Sequence, residues 1–184
     1  MTRDTTIHAP RLDLRPATPD DMRAELAGHA ALADALGARI PAGWPPELYD
    51  ADAIRWTLAR LEETSEPAWY LYHVLRRDDD GGRTAVGVCG FKGPPDDEGT
   101  VELGYGVLEE HRRQGYAVEA VRALLDAAFD DVRVTRVAAE TLPELEPSIG
   151  VLRRCGFHLR GEGSEPGVIR YEKTRGEHAA EGGA

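Results

Sequence analysis

The chain has 184 residues, with 22 Lys and Arg against 33 Asp and Glu and a formal charge of −11. Phosphate binding is driven by clustered basic residues, so this balance argues against nucleic acid as a direct partner and suits a cationic one better. The length fits one domain with a full core, and no run approaches the roughly 18 apolar residues of a membrane helix. Met1 to Pro10 contains no apolar leader segment, and the two cysteines, Cys89 and Cys155, lie in short apolar runs. A cytoplasmic protein with no disulfide framework is therefore expected.

Arg11 to Pro16 alternates apolar and polar residues and predicts a first strand. Thr18 caps a helix from Pro19 to a stop at Gly37, with Met22, Leu26, Ala30 and Ala33 at helical spacing. Pro41 to Asp50, with Gly43, Trp44, Pro45 and Pro46, reads as a loop. A second helix spans Asp52 to Glu63, and Trp69 to Leu75 is a strand. Two more strands, Thr84 to Gly90 and Val101 to Val107, flank the turn Gly93 to Gly99. Val118 to Phe129 is an amphipathic helix, Val132 to Thr141 a strand and Ser148 to Cys155 a short helix. Phe157 to Leu159 and Val168 to Glu172 form a closing pair. The tail from Arg175 to Ala184 has no periodicity and reads as disordered, leaving residues 1–174 as one domain. The order is α+β, with a mixed sheet of about seven strands and about four helices.

Glu109 to Ala117 joins a strand to a helix through Arg112, Arg113, Gln114, Gly115, Tyr116 and Ala117. Backbone N–H groups at a helix N-terminus lack intrahelical partners and carry the positive end of the dipole, so this turn is a candidate anion cradle. The same residues also suit a solvated basic turn beside Glu109 and Glu110. Neither the three-glycine dinucleotide fingerprint nor a P-loop is present. The six histidines show no metal-ligand spacing, so no metal is expected.

The spacing Arg112-x-x-Gly115-x-Ala117 resembles the pyrophosphate-binding signature of the GNAT acyltransferase superfamily. Four further segments follow in the order of its ribosomal-protein alanine acetyltransferase branch: Pro10 to Arg15, Glu102-Leu103-Gly104-Tyr105, Gly115 to Ala120, and Ser148-x-x-x-Leu152-x-x-x-Gly156-Phe157. The resemblance covers about 160 residues and implies transfer of an acetyl group from acetyl-coenzyme A to a primary amine, of a protein N-terminus or of a small molecule. It also implies that the coenzyme's pantetheine chain pairs with main chain at Tyr105, Gly106 and Val107, and that its pyrophosphate sits on Arg112 to Ala117. A homodimer is compatible with it. A catalytically lapsed domain that binds an acyl-coenzyme A as a sensor or scaffold is the alternative.

For the chemistry, an amine must lose a proton. A lysine amine, with a reference pKa of about 10.4, is about 0.1% deprotonated near pH 7.4, and an α-amine at about 7.7 to 8.0 roughly a quarter deprotonated. Glu102 shares a strand face with Gly104 and Gly106, which leave space beside its carboxylate. It is the candidate base, or else a strand-end carboxylate paired to an arginine. The resemblance places Ser148 near the thioester sulfur, and its position equally suits an N-cap for Ile149 to Cys155. Leu152 stands where many members carry a proton-donating tyrosine. Glu146 stands where the branch usually has an asparagine that binds the pantetheine; a shifted register would leave it in solvent. Trp44, Tyr49 and Trp56 are candidates to line the acceptor pocket, with core packing as the other use of such aromatics.

Overall fold

The computed structural model describes residues 5–182. Its strands are β1 (Ile7–His8), β2 (Leu12–Pro16), β3 (Leu71–Arg77), β4 (Arg83–Phe91), β5 (Thr100–Val107), β6 (Arg136–Thr141), β7 (His158–Glu162) and β8 (Ile169–Thr174). They form one sheet in the order β1-β2-β3-β4-β5-β6-β8-β7. Every neighbouring pair is antiparallel except β5 with β6. The helices are α1 (Pro19–Ala27), α2 (His29–Leu36), α3 (Ala51–Glu63), α4 (Tyr116–Asp130), α5 (Glu146–Arg154) and α6 (Arg175–Gly182). The eight strands and six helices are one α+β domain with a mixed sheet, close to the counts expected from sequence.

β1 is an addition to the sequence expectation, and three further elements differ from it. The single helix predicted over 19–37 is two, because Gly28 takes φ 127° and ψ 176°, a conformation open to glycine, and turns the chain between α1 and α2. Thr18 caps α1 as predicted: Asp21 N–H donates to its hydroxyl (3.2 Å), and Thr18 N–H donates to the Asp21 carboxylate (2.9 Å). The strand predicted from Val132 begins at Arg136 instead; the preceding residues turn, with Val134 N–H on Asp131 O.

The tail predicted to be disordered forms α6 through Gly182, while Gly183 and Ala184 lie outside the described residues. What orders it is tertiary and invisible to periodicity. The Arg175 guanidinium donates to the carbonyls of Phe129 and Asp131 (both 2.6 Å) and Val134 (2.7 Å), which closes the C-terminal end of α4. Farther along α6, Glu181 meets the buried Lys173 ammonium at 2.5 Å, and that ammonium also donates to Cys155 O at 2.8 Å.

The feature that makes a site is a split in the sheet. β5 and β6 pair only over Thr100 to Glu102 with Arg136 to Ala138, and then diverge. Toward β4, Glu102 O accepts from Lys92 N and Leu108 N donates to Val86 O, so the even-numbered residues of β5 spend their backbone groups on β4. By the alternation of an antiparallel ladder, Tyr105 and Val107 turn theirs into the split. The expectation that Gly106 offers main chain there is thus corrected: its backbone serves β4.

Candidate active site

The split leads to the turn at Gly115. This residue takes φ 82° and ψ 3° as the N-cap of α4, with no side-chain cap. Among the described residues nothing accepts the N–H groups of Tyr116, Ala117 and Val118, the first turn of the helix. A row of free donors, the positive end of a 15-residue helix and the exposed cations Arg112 and Arg113 therefore converge on one spot. Arg113, at φ 58°, makes no hydrogen bond or ion pair among the described residues. Gln114 turns its side chain back onto Glu110 O (3.4 Å).

Arg11 braces this turn from β2's side. Its Nη1 donates to Gln114 O (2.9 Å), and its Nε and backbone N–H grip Glu119 at 2.8 and 2.6 Å. The guanidinium lies 4.7 Å from the centroid of the buried Tyr116 ring. Arg112 bonds Val107 O (3.2 Å) and reaches Glu47 across a hollow of about 490 Å³, with Nη2 3.1 Å from the carboxylate. Coenzyme phosphates suit this donor set: the backbone donors are unspent, and Arg112 is engaged only by Val107 O and the exposed Glu47 among the described residues.

On the face of the sheet bearing Glu102, Gly104 and Gly106 lies a second cavity of about 310 Å³. Its walls include Leu48, Tyr49, Trp56, Tyr70 and Phe91, with Lys92 and Glu47 as its charged residues. Gly104 has open space where a side chain would stand, and a Cβ on Gly106 would lie 3.3 Å from Pro46. The glycines thus bring the backbone of β5 into the cavity wall. Glu102 sits beside them, and its carboxylate pairs with the Lys92 ammonium. Lys92 immediately follows β4 and is its cross-strand partner, so the anticipated arginine partner is a lysine.

The aromatic candidates separate. Trp56 and Tyr49 line the cavity. Trp44 does not: it is buried at 5% exposure and donates Nε1–H to Glu25 (2.7 Å), so it is a core anchor. The same carboxylate accepts from Tyr49 O–H (3.1 Å) and meets His73 Nε2 (3.2 Å). Glu25 on α1 therefore ties the 41–50 loop to β3. The fully buried His73 Nδ1 has no hydrogen-bond partner among the described residues, so Glu25 is the one side chain that holds this ring by a hydrogen bond. Burial and the neighbouring Glu25 push the Tyr49 phenol far up.

On the opposite face, Tyr105 reaches across the split to α5. Its hydroxyl donates to Ser148 O (3.0 Å) and contacts Ser148 Oγ (3.1 Å). Ser148 is the third residue of α5, whose N-cap is Leu145, so the N-cap alternative is corrected. With the tyrosine hydrogen on the carbonyl, Ser148 supplies the hydrogen between the two oxygens. Burial pushes the Tyr105 phenol up to about 12. A thiol near 8.5 is more acidic by about 3.5 units, so proton transfer from this phenol to a leaving thiolate is uphill by about 5 kcal/mol. Tyr105 orients Ser148 instead of feeding it a proton. Leu152 is fully buried. Glu146 is exposed at the first position of α5, with no side-chain partner among the described residues. Burial also raises the Cys155 thiol, to about 11.

Sequence reasoning missed Arg11, Glu25, Glu47 and Lys92. Glu25 carried a signal, an acid three residues after Met22 on the apolar face of α1; Lys92 becomes visible only once the register across the 93–99 turn is known.

A mixed sheet split between two parallel strands, with an uncapped glycine turn at its mouth and an aromatic cavity on one face, defines a site for an extended ligand with an anionic group. The family model described as acetyltransferase (GNAT) domain matches residues 11–158, and the chain belongs to that family. Among curated relatives it is similar to the uncharacterized N-acetyltransferase p20 of Bacillus licheniformis, 35% identical over 92 residues. That match covers 50% of this chain and 48% of p20, and the chain spans about half the length of the curated relatives it matches. Its fold is similar to the ribosomal-protein-S5-alanine acetyltransferase of Vibrio fischeri, with TM-score 0.65, 18% identity, and 94% and 97% of the two chains covered. It is also similar to RimL, a ribosomal L7/L12 α-N-protein acetyltransferase solved in complex with coenzyme A, with TM-score 0.64, 20% identity, and 92% and 97% covered.

Proposed function

We propose that the chain is an acetyl-coenzyme A dependent N-acetyltransferase that passes the acetyl group directly to a primary amine, of a protein N-terminus or of a small molecule. The observation that carries this reading is the continuity of the split: the backbone groups of Tyr105 and the N–H of Val107, whose carbonyl accepts from Arg112, run into the unspent N–H groups of α4. That path suits a long, polar, doubly phosphorylated chain, and it passes directly between the cavity beside Glu102 and the Tyr105–Ser148 pair.

In this reading Glu102, directly or through a water, takes the proton the amine must lose, while the strand backbone fixes the thioester in the split. When the coenzyme is bound, the Tyr105 hydrogen turns from Ser148 O to Ser148 Oγ, which frees the Ser148 hydroxyl to donate to the departing sulfur. Lys92 keeps the charge of Glu102 balanced until an acceptor ammonium takes its place. The testing experiment is Glu102→Gln, followed by thiol release over an amine panel. The kcat should fall by about 10² to 10⁴ at pH 7 with coenzyme A affinity intact, and the deficit should shrink as pH rises and solvent deprotonates the amine unaided. A loss that stays constant up to about pH 9.5 withdraws the base assignment.

A further inference from the structure

The acceptor cavity has an unusual division of labour. Its walls are apolar and aromatic, with Leu48, Trp56, Tyr70 and Phe91 among them. The Trp56 and Tyr70 rings pack against each other, centroids 6.3 Å apart at 56°, and form one apolar corner of the wall. At about 310 Å³ it lies at the small end of ligand pockets. Of the two charged residues that line it, Glu47 is paired with Arg112, and Lys92, just after β4, is paired with Glu102, which shares the strand face of the lining residues Gly104 and Gly106. Lys92 is 62% exposed, and Lys173, the only other lysine of the chain, is buried. A base alone needs no such partner, and a purely cationic acceptor would meet Lys92 as a like charge at close range.

We propose that the acceptor is a free α-amino acid with a large apolar side chain, its ammonium received by Glu102, its carboxylate by Lys92 and its side chain against the apolar corner of Trp56 and Tyr70. This rests on the reading of Glu102 as the partner of the acceptor amine. A zwitterion entering here opens one internal ion pair and makes two, so neither side chain is left uncompensated. The two charges of an α-amino acid are held close together by one carbon, the arrangement a cross-strand Glu–Lys pair can match on a single sheet face. The carboxylate at Lys92 also separates this acceptor from a peptide N-terminus, whose first residue carries a neutral amide at that place. Transfer then breaks the thioester C–S bond and forms a C–N bond. The ammonium gives one proton to Glu102 before attack and the nitrogen gives a second to solvent after it, while the sulfur leaves as a thiolate that takes its proton from solvent.

Calorimetry on the coenzyme A-loaded protein tests this without requiring turnover, using L-phenylalanine, L-phenylalaninamide and a tetrapeptide beginning with phenylalanine. Phenylalanine should bind about ten-fold or more tightly than the amide or the peptide, and Lys92→Gln should erase that preference. Because Lys92 is largely exposed, the variant should fold, which its unfolding curve checks. Equal binding of acid and amide, binding of none of the three, or a preference that survives Lys92→Gln overturns the proposal. Thiol release measured in parallel with the same compounds and phenethylamine reports on the acetyltransferase reading separately: acetylation of the amines without preference for the acid retains that reading and discards this one.

Discussion

Removing the Glu25 carboxylate tests how the loop over the active site is held. In Glu25→Leu the side chain stays apolar and of similar bulk, but three buried donors lose their acceptor: Trp44 Nε1–H at 2.7 Å, Tyr49 O–H at 3.1 Å and His73 Nε2–H at 3.2 Å. Each unsatisfied buried donor costs about 1–3 kcal/mol. Some relaxation of the loop limits the sum, and the loss expected for breaking a buried charged cluster is about 3–5 kcal/mol. For a chain of this size, 1 kcal/mol moves the unfolding midpoint by about 2–4 °C, so the midpoint should fall by about 6–20 °C. Glu25→Gln should cost much less. Its carbonyl can keep the Trp44 bond while its amide donates to the Tyr49 oxygen and to His73 in the other tautomer. Thermal unfolding followed by circular dichroism measures both variants, and proteolysis of the 41–50 loop should accelerate in the leucine variant first. A fall below about 2 °C for Glu25→Leu, or equal falls for both variants, would refute the account of Glu25 as the loop's anchor.

Three further outcomes are expected. Gly115→Asp places a carboxylate at φ 82° among the free helix donors, where its Cβ stands 3.2 Å from Arg11 Nη2; coenzyme A binding by calorimetry should weaken at least about 100-fold with the fold retained, and micromolar affinity would sink the cradle. Tyr105→Phe should lower kcat less than about ten-fold, because the phenol orients Ser148 and is too weak an acid to serve the thiolate; a loss near 10³ would make it the proton donor after all. Asp13 is buried, which by itself would raise its pKa, but hydrogen bonds from Arg83, His8 and Arg77 outweigh burial and hold it at about 2. Its stabilisation, about 2 kcal/mol, is therefore present above the unfolded value near 3.9 and lost as pH falls toward 2. Urea midpoints between pH 5 and about 2 should show that loss in the native chain and not in Asp13→Asn, and identical slopes would remove Asp13 as its source.

What could be read from the chain depended on how far apart the cooperating residues lie. The Gly115 turn was legible because strand, cations, glycine and helix are contiguous, and the helix donors are backbone groups that any sequence supplies. Glu102 was legible from period-two alternation with Gly104 and Gly106. Lys92 was not, because its place opposite Glu102 depends on the register across a seven-residue turn. Trp44 was misplaced since its partner is Glu25 on another element, and nothing local distinguishes an aromatic that lines a cavity from one that anchors a loop. The Gly28 break shows the opposite limit. Local propensity tolerates glycine within a helix at about 1 kcal/mol, and only the need to turn α2 toward the loop, where His29 meets Trp44 O at 3.1 Å, decides against continuity. In the tail, polarity suggested solvation, and one arginine on three carbonyls overruled it.

The divergence of β5 from β6 gives an interior strand the chemistry of a border. Unpaired main-chain groups in a sheet normally invite another copy of the chain, and proteins hide or blunt them. Here the exposed stretch is enclosed, with the loop and α3 over one face and α4 and α5 over the other, so a slim extended molecule can reach it and a second sheet cannot. Recognition of that kind is written in the path of the backbone and not in the identity of its side chains. Leu103 and Val107 are therefore constrained by packing alone, whereas Gly104, Tyr105 and Gly106 answer to the cavity and to Ser148.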